Sequence, residues 1–264
     1  MPIWLYEIPP WRLALLMMVV IELLSILGLF AARRFLLPHL RFNEGINDAV
    51  SGTVQTIGVF YGITVGLIAV SVWDTNSTSA DLVSREAASI AALYRDVSGY
   101  PSPYKEELQV KLRDYTVFTI DQAWPAQKKG QILDGGTQIL DDFRSKLFSF
   151  QPKTTGEAAL HQETLHAFNN LTENRRLRVG AVLSGLSDVM WAVIWIGACF
   201  SIAVAYLYKI EDPKIHTILV ALMSGFLAVV LFMIVINDKP FYGYVSITPD
   251  PYKLILDKVI AISK

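Results

Sequence analysis

The residues best placed to do chemistry lie inside an apolar stretch. Between Ala49 and Trp73 no residue is charged, yet the stretch carries Thr53, Thr56, Thr64 and Ser71. At about 100° per residue these share one helix face with Phe60 and Leu67. Gly58, Gly62 and Gly66 recur every fourth residue and fall on the opposite face. Glycines at that spacing form a flat strip that lets another helix backbone approach closely in a bilayer. Gln55 lies near that face, placed to bond a neighbouring helix. The hydroxyl face has two readings. Its oxygens can replace ion hydration in a pore, with Phe60 and Leu67 constricting it by dewetting, which needs several copies around an axis. Alternatively the hydroxyls bond their own backbone carbonyls and face a neighbouring helix.

Glu22 is the one formal charge in the run from Leu13 to Ala32, with Ser25 on its face. An intramembrane ionisable group is costly and points inward or into water. It is either a carboxylate on an ion or proton pathway, or a protonated acid bonded to a neighbouring helix. His161, Glu163 and His166 lie close in sequence, but the histidines are five apart and diverge around a helix. They predict no metal site. Asp141-Asp142 reads as a solvated face. Cys199, the single cysteine, sits in an apolar run as a small membrane-core residue. Asn76-Ser-Thr and Asn170-Leu-Thr match the glycosylation sequon, a pattern common by chance. No nucleophile elbow, phosphate-binding glycine loop or HExxH zinc motif is present, so no catalytic residue, cofactor or enzymatic activity is predicted.

The elements holding these residues are transmembrane helices. Hydrophobic residues make up 53% of the 264 and charged residues 18%, with a net charge of -1. That excess of apolar over charged residues points to a membrane protein, and the missing basic stripe argues against a nucleic-acid partner. Four apolar runs are each long enough to cross a bilayer, which takes about 20 helical residues. They predict helices over 11–36, 48–74, 187–208 and 214–236. Trp4, Trp11, Trp73, Trp191, Tyr206, Tyr208, Phe241 and Tyr242 flank them as interfacial aromatics do. The first run lacks a basic start and a cleavage site, so it reads as a retained helix rather than a signal peptide. The fold class is therefore an all-α membrane protein with four transmembrane helices in a two-plus-two layout. Residues 1–74 carry the first pair, 75–182 a soluble helical insert, 183–237 the second pair and 238–264 a polar and amphipathic tail.

Within the insert, apolar spacing predicts helices over 78–97, 103–123 and 136–149, and another from Thr154 toward Leu177. Thr78 with Asp81, and Thr154 with Glu157, have capping-box spacing. The second of these helices is predicted to end before Pro125. Such short amphipathic helices bury little alone, so some of their apolar surface is available to a neighbouring subunit. The insert's side is contested. Arg33, Arg34 and Arg41, in a linker with Pro38 and His39, place that linker in the cytoplasm and the insert outside. Arg175, Arg176 and Arg178, ahead of the third membrane helix, argue the reverse.

Several stretches together resemble a bacterial family of four-helix membrane proteins described as bestrophin-like. They are Asn47-Asp48, Gly58-Val-Phe60-Tyr61-Gly62, Val72-Trp73, Glu86-Ala-Ala and Leu93-Tyr94-Arg95. The arginines at 175–178 ahead of Trp191 fit too, as does Asp238-Lys-Pro240-Phe241-x-Gly243 followed by Pro249 and Pro251. The resemblance covers nearly the whole chain. True bestrophins are pentameric anion channels whose second transmembrane helix lines a narrow apolar neck, with cytoplasmic termini and helical domains. The resemblance thus implies a homo-oligomeric ion channel, a pentamer conducting an anion such as chloride, in the bacterial inner membrane. The insert and termini would be cytoplasmic. Its partners would be lipid, its own copies and permeant ions. Thr53, Thr56, Phe60, Thr64, Leu67 and Ser71 would line the pore, and Gly58, Gly62 and Gly66 would pack on the protein's own outer helices. Bestrophin calcium-clasp and neck residues have no one-to-one match here, so calcium gating and selectivity are not implied. The competing reading is a non-conducting membrane scaffold or sensor whose insert binds a partner.

Overall fold

The computed structural model describes residues 3–40 and 45–260. Arg41, assigned above to the basic linker, lies outside the described residues. These residues form nine α-helices, and no strand occurs among them. The chain divides into two compact units. One comprises Leu5–Asp74 and Gly185–Asp238. The other comprises Thr75–Ser184 together with residues 3–4 and 239–260.

The first unit contains α1 (Pro10–Ala31), the opening part of α2 (Ile46–Val97), α7 (Asp188–Ala205) and α8 (Pro213–Asn237). All four helices are long and apolar enough to cross a membrane. Pro10 stands at the first helical position of α1, where a missing N–H is harmless. Ser187 caps α7 by accepting from the Met190 amide, and Asp212 caps α8 by accepting from the Lys214 amide. α1 runs on through a wide turn, Ala32–Leu36, to His39. It packs chiefly on α8. Leu13, Val65, Ile68, Val72, Ile194 and Ile234 are the centre of the core. Leu15, Leu23, Leu24 and Leu27 of α1 are exposed, as lipid-facing positions are.

Two close helix approaches rest on glycines. A Cβ on Gly197 would lie 2.3 Å from the Tyr61 ring, and one on Gly28 2.5 Å from the Tyr206 hydroxyl oxygen. Each tyrosine then reaches a backbone carbonyl of the facing helix: Tyr61 donates to Ile194 at 3.0 Å and Tyr206 to Ser25 at 2.8 Å.

The second unit contains the closing part of α2, α3 (Tyr104–Phe118), α4 (Trp124–Gln127), α5 (Gly135–Phe148), α6 (Thr155–Ala181) and α9 (Asp250–Ile255). Its core joins Ile90 and Leu93 of α2, Leu108 and Leu112 of α3, Phe143 of α5 and Leu171 of α6. Phe143 stacks on Phe168 with centroids 5.3 Å apart. The Thr154 capping box forms as its spacing predicts: Thr154 Oγ1 accepts from the Glu157 amide, and Glu157 Oε2 from the Lys153 amide.

Two expectations change. The helices over 48–74 and 78–97 are one continuous helix, α2. No glycine or proline interrupts residues 67–97, and Thr78, expected to cap a new helix, lies inside α2, where the adjacent Ser79 bonds back to the Thr75 carbonyl. The helix from 104 passes Pro125 through a wide turn, Thr119–Ala123. That turn puts Pro125 in the opening turn of α4, where its missing N–H is tolerated. The amphipathic C-terminal segment lays its apolar residues into the second unit. Phe241 and Tyr252 are buried against Trp124, whose indole N–H donates to the Ile247 carbonyl at 3.0 Å.

Candidate functional site

Packing divides the membrane-spanning part of α2 into three longitudinal strips. Val50, Val54, Ile57, Tyr61, Val65, Ile68 and Val72 follow helical spacing and form the buried or half-buried strip. One flank carries the predicted pore residues. Thr53, Thr56 and Ser71 are exposed, Thr64 is half-buried, and Phe60 and Leu67 are 70% and 67% exposed. Thr53, Thr56 and Thr64 donate their hydroxyl hydrogens to the carbonyls of Ala49, Gly52 and Phe60, four residues back, at 2.8–2.9 Å. Backbone bonding and outward exposure therefore coexist on this face.

The other flank carries Gly58, Gly62 and Gly66. A Cβ built on any of them meets nothing within 4 Å among the described residues, so no described helix of the chain packs on this strip. The close packing expected there falls instead on Gly197, Gly28 and Gly225. The reason is geometric: the bulky Tyr61, Tyr206 and Glu22 each need a facing glycine. The strip of α2 instead floors an apolar groove of about 350 Å³, completed by Ser201 of α7 and Met223, Phe226 and Val230 of α8.

Glu22 lies at the middle of α1, opposite the middle of α8. A Cβ on Gly225 would stand 2.8 Å from Glu22 Oε1, so the glycine makes room for the carboxylate. The recess around it is about 370 Å³, lined by Met18, Ile218, Ala221, Leu222, Phe226 and Val229.

Residues that carry the family resemblance act as fasteners. The Asn47 side chain donates to the Lys209 carbonyl at 3.1 Å and accepts from the Lys209 amide at 2.9 Å. Asp238 accepts from the Tyr6 hydroxyl at 2.9 Å and from the Leu186 amide at 2.6 Å. Glu86 is fully buried in the second unit, where it pairs with the buried Arg178 and accepts from the Tyr115 hydroxyl. Arg178 also donates to Gln127 at 2.9 Å and lies over the Trp124 ring at 5.5 Å. Burial pulls the Arg178 guanidinium down, but Glu86 and the two tyrosines outweigh it and hold it above its ordinary value. Burial, then Glu86, pushes the Tyr115 and Tyr252 hydroxyls above theirs. Nothing in local spacing links positions 86 and 178.

The remaining sequence candidates scatter. Arg176 pairs with Glu173, and Arg175 donates to Thr137. With Arg178 neutralised inside the fold, the three arginines are no longer a free cluster. His161 Nδ1 sits 2.8 Å from the Tyr100 hydroxyl, while Glu163 and His166 are exposed. Asp141 and Asp142 pair with Arg144 and Lys111 at the surface. Cys199 is exposed on the surface of α7. Among the described residues no group of three His, Cys, Asp or Glu is placed to hold a metal ion.

The profile of the Bestrophin-like domain family matches residues 19–252 of the chain. No curated protein matches it.

Proposed function

The chain belongs to the bestrophin-like family, and from that premise we propose that it forms a homo-oligomeric ion channel whose pore is lined by α2. One observation carries the reading. A membrane-spanning helix turns one strip onto its own chain and leaves Thr53, Thr56, Phe60, Leu67 and Ser71 outward. Lipid has no use for a row of hydroxyls, whereas copies of this helix around an axis would form a polar wall with apolar constrictions. One copy encloses nothing, so the function requires assembly, with five subunits as the number the resemblance supplies. Phe60 and Leu67 would be the constrictions, and the uncovered glycine strip would receive a neighbouring copy. The setting is the bacterial inner membrane, with the insert and both termini on the cytoplasmic side as in the bestrophin plan. This is a transport role rather than an enzymatic one.

The test is current through purified protein in planar bilayers, with Phe60→Ala beside the wild type. A conducting wild type, or a conductance that rises in the variant, supports the pore. A monomer or simple dimer in mild detergent sinks it. So does the absence of current in both proteins, which leaves the scaffold reading with a partner on the insert. Cysteines placed in the insert and labelled in intact cells read its side.

A further inference from the structure

Resting on the pore reading, we infer that the permeant ions are cations and that Asp74 sets this selectivity. This departs from the chloride that the resemblance implies. An anion in a pore needs hydrogen-bond donors or basic side chains; a cation needs oxygen lone pairs or carboxylates. The α2 flank offers the second set. Thr53, Thr56 and Thr64 spend their only hydroxyl hydrogens on backbone carbonyls, so only oxygen lone pairs remain to meet an ion. The backbone amides are enclosed in the helix ladder. From Ile46 to Ser84 there is no lysine, arginine or histidine, but there are Asp48, Asp74 and Asp81.

Asp74 falls on the hydroxyl flank by helical spacing, one turn beyond Ser71. It is exposed and carries no hydrogen bond or ion pair to any described residue. Repeated around an axis, it forms a ring of carboxylates at one mouth of the pore, the arrangement that selects cations. Charges at that end of the membrane unit reinforce it, since the exposed Glu7 and Asp188 outnumber Arg12. At the other end the positive helix terminus and Arg33, Arg34, Lys209 and Lys214 stand against Asp48, Glu211 and Asp212, so the cation preference is assigned to the Asp74 mouth alone.

The experiment measures reversal potentials in bilayers under a KCl gradient for wild type, Asp74→Asn, Asp74→Lys and Asp74→Glu. The wild type is expected to pass K+ in preference to Cl−. Asp74→Asn lowers the permeability ratio by roughly tenfold, as a ring of lost charges would. Asp74→Lys reverses the preference, and Asp74→Glu keeps it, which separates lost charge from lost fold. Current that favours Cl− in the wild type overturns the inference and leaves the pore intact. A cation preference unmoved by Asp74→Asn overturns the role of Asp74. No current from either the wild type or Phe60→Ala overturns the pore reading itself.

Discussion

Replacing Arg178 by methionine removes the cation from a buried ion pair. Glu86 is fully buried, so its carboxylate would keep the Tyr115 hydroxyl but lose its counter-charge. The Gln127 side-chain oxygen would also lose its partner inside the fold. Stranding one member of a buried pair costs about 3–5 kcal/mol, because the surviving charge has left water without compensation. At about 2–4 °C per kcal/mol for a chain of this size, the midpoint should fall by roughly 6–20 °C. Circular dichroism in mild detergent reads the loss, and hydrogen exchange in α3 and α6 localises it. The double variant Glu86→Gln/Arg178→Met removes both charges and should recover most of the stability, since a neutral replacement of a buried pair is often tolerated. Two results would refute the reasoning: a shift under about 2 °C in Arg178→Met, the size of an ordinary surface substitution, or a double variant that falls as far as the single one.

Gly197→Ala should displace the Tyr61 ring and break its bond to Ile194, costing about 1–3 kcal/mol as overpacking does; a thermal midpoint equal to wild type would contradict this. Gly58→Ala, which meets nothing within 4 Å among the described residues, should leave monomer stability within about 0.5 kcal/mol, so any loss of assembly on sizing columns reports contact between copies. Burial lowers the His161 pKa from its ordinary 6.5. Its contribution to the insert's stability is therefore present above pH 6.5 and is lost as pH falls from there toward the lowered folded value. Asp96 nearby, pushed up by burial and by Glu163, has the opposite sign and acts in the carboxylate range below. His161→Gln should abolish the fall in midpoint between about pH 7 and 5.5; a fall that survives in the variant refutes the assignment.

Much of the fold was legible along the chain. The four apolar runs announced helices fit for a bilayer, because length and hydropathy are properties of a contiguous segment. Thr154 announced the start of α6 for the same reason, since a capping box spans only four residues. The candidate face of α2 was legible too, because a 3.6-residue period sorts Thr53, Thr56 and Phe60 from the glycines without knowledge of what surrounds them.

What spacing could not decide is which strip meets a partner. Gly58, Gly62 and Gly66 looked like the packing glycines, and the chain instead packs at Gly197, Gly28 and Gly225, each single and without pattern. The continuity of α2 through Thr78 was hidden because a serine or threonine can either cap a helix or bond backward within one. Glu86 and Arg178, 92 positions apart, met only through the folding of α2 onto α6. By itself the sequence determined where the chain is apolar, where helices run and which residues share a helix face, all consequences of short-range geometry. The tertiary structure decided which faces are covered, which charges are paired and which hydroxyls keep their hydrogens, because those depend on surfaces brought together from distant parts of the chain.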